Sequence, residues 1–71
     1  MPTSFEQERQ EKINRLFAWA KENNIDFKDH LSYDKIEEQA REFYIYNSPR
    51  TIKSYVYAVL ELLEKGYWFF E

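Results

Sequence analysis

Polar and apolar positions alternate with a helical period along most of this chain. Ile13, Leu16, Phe17 and Ala20 fall at i, i+3, i+4 and i+7, which sets all four on one face of a helix. That helix is predicted to begin at Thr3 or Ser4. Thr3 with Glu6, or Ser4 with Gln7, fits the pattern in which a hydroxyl and a side chain three residues later satisfy first-turn amides. Asn23-Asn24 ends it. In IDFK, residues 25–28, apolar Ile25 and Phe27 alternate with Asp26 and Lys28, and period-two alternation predicts a short strand.

A second helix follows, capped by Ser32 or Asp34, with Ile36, Ala40 and Phe43 on its buried side and Tyr33 and Tyr44 as further candidates for that side. YIYN, residues 44–47, breaks the period. Ser48-Pro49 then marks a third helix over 49–65: serine caps, and proline's missing amide costs nothing at the first helical position. Its apolar ladder is Ile52, Val56, Val59, Leu60 and Leu63, widened by Tyr55 and Leu62, so it is expected to pack against both other helices. Gly66 suits a left-handed C-cap. The aromatic YWFF, residues 67–70, favours a strand, whose available partner is IDFK.

The predicted order is helix, strand, helix, helix, strand. This is a mainly α, three-helix domain with a minimal two-stranded sheet. At 71 residues the chain is read as one domain over 1–71, either whole or a piece of a longer protein. Small domains bury little core, but six Phe, six Tyr and two Trp enrich this one.

Charge changes the picture more by its placement than by its sum of −3. Residues 1–24 carry four acids and four bases, 25–48 six and three, and 61–71 three and one, whereas 49–60 carry only Arg50 and Lys53. An acidic total argues against indiscriminate nucleic-acid binding but leaves room for a small basic footprint at the start of the third helix.

Other chemistry finds little support. With no cysteine and a single histidine, His30, disulfides and paired-ligand metal sites are excluded, and His30 reads as a loop-surface residue. Glu37, Glu38 and Glu42 read as a solvated face instead of a catalytic carboxylate pair. A glycine loop, a nucleophile motif and clustered ligands are all missing, so neither an enzyme, a cofactor nor a small-molecule substrate is expected. Apolar runs are too short to span a membrane, and MPTSFEQERQEK has charge where a signal peptide needs an apolar core, so the chain reads as cytoplasmic.

Ser48-x-x-Thr51-Ile52 and Leu60-x-x-Leu63-Glu64-Lys65-Gly66-Tyr67, set in that element order, resemble the recognition-helix opening and the ending before the wing of winged helix-turn-helix domains. The likeness runs from about residue 13 to 70. It departs in two places. EFYIYN lacks the usual glycine and is longer than the tight turn, and only one strand follows Gly66, so a wing contact in the minor groove is not implied.

The resemblance implies double-stranded DNA as partner, in transcription or replication, with the third helix in the major groove. Arg50 would pair with guanine or phosphate and Lys53 with phosphate, while Ser48, Thr51, Ser54 and Tyr57 offer hydroxyls. Tyr46 and Asn47 in the turn and Arg41 beside it are supporting residues. Cations in a first turn oppose the helix dipole by roughly 0.3–1 kcal/mol each, which favours a contact role over plain solvation. Three alternatives stand beside this one: a protein-interaction module on the same fold, a plain three-helix structural subunit whose terminal strand completes a partner's sheet, and ordinary solvated cations. In the strand, Trp68 and Phe70 would face the helices, leaving Tyr67 and Phe69 outward as an interaction surface for a homodimer or a larger partner.

Overall fold

The computed structural model describes residues 4–66, and they form three helices joined by two connections: α1 (Ser4–Glu22), α2 (Ser32–Phe43) and α3 (Pro49–Lys65). Ser4 is already helical, inside α1 instead of capping it, and the other candidate cap, Thr3, lies outside the described residues. α1 ends as Asn23-Asn24 predicts. Asn24 takes a positive φ of 54°, Asn24 N donates to Lys21 O and Ile25 N donates to Ala20 O. This pair of bonds is the Schellman motif, and asparagine tolerates the left-handed turn it requires. Ile25, carried round by that turn, packs against the core.

The predicted strand at 25–28 is not formed. Asp26 and Asp29 each start a turn: Lys28 N donates to Asp26 Oδ1 and Leu31 N to Asp29 Oδ1, both at 2.9 Å. Asp29 N and Ser32 N close the same turns on the carbonyls of Asp26 and Asp29. Amides committed to local carboxylates are lost to a strand ladder. The described residues contain no strand, so the two-stranded sheet is not supported, and its other predicted half, residues 67–70 with Tyr67 and Phe69, lies outside them.

Neither Ser32 nor Asp34 caps α2. Leu31 holds the N-cap position without a side-chain bond, and the Asp29 turn delivers the chain already curled, so that Ser32 is the buried first residue of the helix. Ser48, by contrast, caps α3: its extended backbone leads into Pro49, and its Oγ accepts from Thr51 N at 3.2 Å. At the other end Gly66 adopts φ 72° and donates to Leu62 O.

The core is one cluster. Ile13, Leu16, Phe17 and Ala20 of α1 meet Ile36 and Ala40 of α2, Tyr44 of the connection, and Ile52, Tyr55, Val56 and Val59 of α3. Leu60 and Leu63, expected within the stripe, are only partly buried. Each borders an open cleft beside Phe27 of the α1–α2 connection, where thin turns stand in place of a third helical wall. Phe43 is likewise half-buried, its ring covered at 4.1 Å by the Arg15 guanidinium.

Candidate functional site

The capped start of α3 fixes where its polar side chains stand. Ser48 Oγ also lies 3.0 Å from Thr51 Oγ1, so these two hydroxyls are tied to each other and to the first turn. Arg50 and Lys53 are exposed, with no acid in that turn. Among the described residues neither meets a carboxylate within ion-pair distance, whereas Lys12, Lys35, Arg41 and Lys65 all do. At the far end of α3, Lys65 Nζ binds Glu61 Oε1 at 2.7 Å, and this contact holds the Glu61 carboxyl below its ordinary range.

α1 completes this corner of the molecule. The Arg9 guanidinium donates to Ser54 Oγ at 3.0 Å and lies 5.9 Å from the Tyr55 ring. Lys12 Nζ donates to Asn47 Oδ1 at 3.3 Å, pairs with Glu8 at 3.3 Å and lies 5.4 Å from the Tyr44 ring. The Tyr44 hydroxyl in turn donates to the Lys12 carbonyl at 2.9 Å. Arg9 and Lys12 were missed in the sequence, where the first 24 residues look charge-balanced. The signal was their i, i+3 spacing along the edge of the Ile13–Leu16 stripe, which sets both beside whatever packs on that stripe.

Of the residues singled out for DNA, Asn47, Arg50, Thr51 and Ser54 therefore line one cleft with Arg9 and Lys12. Ser48 contributes the cap. Lys53 stands on the open face of α3 outside that cleft. Tyr57, 55% exposed, leans toward α2, its ring 5.3 Å from that of Tyr33. Arg41 is engaged on α2 by Glu37 at 3.6 Å. Tyr46 is 97% exposed and projects from the α2–α3 connection beside Ile45, at 66%. His30 is solvent-exposed next to Asp29.

No helix among the described residues is long and apolar enough to cross a membrane. Comparison with protein families, with characterised proteins and with solved structures finds no match to this chain.

Proposed function

We propose that this chain is a small DNA-binding domain of winged-helix type, acting in the cytoplasm in transcription or replication and reading duplex DNA with the first half of α3. The observation that carries this reading is the pair Arg50 and Lys53. Both are exposed and free of carboxylate partners among the described residues, on a capped helix start without an acid in its first turn. Arginine presents a planar fork to guanine or phosphate, and lysine a point charge to phosphate. The acidic half of α3, with Glu61 and Glu64, lies at the other end, which suits insertion by the amino-terminal end alone. So few cations cannot hold duplex DNA tightly at physiological salt, so the active form is a dimer or a tandem array.

The test is fluorescence anisotropy of the chain with mixed-sequence duplexes at low and moderate salt. Binding should weaken steeply with salt and be lost in the Arg50→Ala, Lys53→Ala double variant. Absent binding, or binding indifferent to salt and to those substitutions, would overturn the reading.

A second reading has its own observation. Ile45 and Tyr46 are exposed side by side at the α2–α3 connection, and contiguous exposed apolar surface is what a protein partner covers. A protein-interaction module would show concentration-dependent association by light scattering that Ile45→Ser with Tyr46→Ser removes. A chain that stays monomeric at all concentrations would remove self-association from this reading.

A further inference from the structure

Between the first half of α1 and the first turn of α3 lies a cleft of about 360 Å³ with an unusual balance of charge. Its cations are Arg9, Lys12 and Arg50, from two helices, and its one acid, Glu8, is already taken up by Lys12 at 3.3 Å. Among the described residues the other two cations lack an anionic counterpart. Among the described residues Arg9 bonds only a neutral hydroxyl, Ser54 Oγ, and Arg50 bonds nothing. A guanidinium carries five N–H donors in a planar fork, so most of the donor capacity of both arginines is unspent.

The neutral groups of the cleft are suited to the same kind of ligand. Thr51 and Ser54 supply hydroxyls, and the Asn47 amide accepts from Lys12 through Oδ1, which leaves its two N–H donors available. Packing holds the site in shape. Lys12 is fixed at its carbonyl by Tyr44 and at its ammonium by Asn47, and Arg9 lies along the Tyr55 ring. Phe5 also lines the cleft, 75% exposed, a large ring that the core does not use.

We infer that this cleft is a phosphate-binding site, with Arg9 and Arg50 gripping the phosphoryl oxygens, Lys12 supplying a point charge, and Phe5 lying against the organic group attached to the phosphate. The volume is at the small end of the range for ligand sites, enough for a phosphate and part of a sugar or base. The chemistry is that of a nucleotide phosphate, and it has two sources: a free mononucleotide or the backbone of a nucleic acid. The inference rests on the duplex reading only for the second source.

The experiment is a titration of the whole chain, followed by amide chemical shifts, with inorganic phosphate, AMP, adenosine and a DNA duplex. Phosphate and AMP should move the amides of Arg9 to Ile13 and of Arg50 to Ser54, AMP more tightly than phosphate, and adenosine should leave them in place. Arg9→Gln with Lys12→Gln should weaken AMP binding about tenfold or more, the usual loss when charge-assisted hydrogen bonds to an anion are removed. Arg50→Gln, at an exposed position that leaves the fold alone, should do the same if the paired α1 variant unfolds. Lys53→Gln, outside the cleft, should spare AMP while weakening the duplex.

Adenosine binding as well as AMP, no shift with phosphate and AMP, or AMP binding indifferent to Arg50→Gln would each overturn the inference. AMP failing while the duplex binds through Lys53 removes the cleft and leaves the duplex reading standing. AMP binding while the duplex fails does the reverse. Competition between AMP and duplex for the same amides identifies the backbone as the source of the phosphate, and simultaneous binding identifies the free nucleotide; both support the site.

Discussion

The Tyr44 hydroxyl donates a 2.9 Å hydrogen bond to the backbone carbonyl of Lys12, 32 positions earlier in the chain. This contact pins the α2–α3 connection onto α1, and it does so from a ring that is itself part of the core and edge-on to Tyr55 at 5.7 Å. Tyr44→Phe keeps the ring and removes the bond. The expected loss is about 0.5–1.5 kcal/mol, read from urea denaturation.

The same residue predicts an alkaline limit. Burial pushes the Tyr44 hydroxyl above its ordinary value of 10.0, aided by Tyr55 and opposed by Arg15. A group raised in the fold stabilises it fully below its unfolded value and ceases to do so as pH rises through its folded value. Unfolding midpoints should therefore fall as pH rises beyond about 10, and Tyr44→Phe should flatten part of that fall. Thermal melts between pH 8 and 11 make the comparison. An identical slope in the variant would show that the alkaline loss arises elsewhere, for example at Tyr33, whose hydroxyl is also raised by burial and by Glu37.

The two ends of α3 should respond separately. Ser48→Ala removes the acceptor for Thr51 N and should cost about 1 kcal/mol. Among the described residues Gly66→Ala meets no neighbouring atom within 4 Å, but it places a Cβ at φ 72°, and the left-handed conformation costs about 1–2 kcal/mol. Chemical denaturation should find the two losses additive, since the ends share no partner.

Phe17 and Ile36 are fully buried, and they test how much core the domain can spare. Ile36→Val should cost about 0.5–1.5 kcal/mol and keep a cooperative transition. Phe17→Ala should cost about 3–5 kcal/mol, a large part of the total stability of so small a domain. Far-ultraviolet dichroism at 37 °C should show the first variant folded and the second largely unfolded.

For DNA, Arg50 and Lys53 should behave differently. Lys53→Ala should weaken all duplexes alike and reduce the slope of log K against log salt by about 1, as expected for one lost phosphate contact. Arg50→Ala should relax the preference at one base pair by about 1–3 kcal/mol where Arg50 meets a guanine edge, and weaken all duplexes alike where it grips a phosphate. Anisotropy on a panel of single-base variants distinguishes a base reader from a second phosphate contact.

The residues that were legible in the chain acted locally. Ser48-Pro49 started a helix and Gly66 stopped one because caps depend on a hydroxyl, a missing amide and a positive φ within a few residues. The α1 stripe of Ile13, Leu16, Phe17 and Ala20 is buried as its spacing required. IDFK was misread because alternation over four residues has two causes. Its aspartate stands there to close a turn on Lys28 N, not to face water from a strand. Ser32 and Asp34 looked like caps for a similar reason: the deciding residue, Asp29, lies three positions before the helix and shapes the approach to it.

The amino-acid order by itself determined three amphipathic helices, the asparagine stop of α1, both caps of α3 and the pair Arg50 and Lys53 at a helix start. What only the tertiary structure decided is that Arg9 meets Ser54 across 45 positions and Lys12 meets Asn47 across 35. Those pairings depend on how α1 and α3 pack against each other, and packing is set by the burial of apolar faces, which carries no label for the polar side chains at the rim. The cationic cleft is a product of that packing, and its residues became a candidate site only when two helices brought them together.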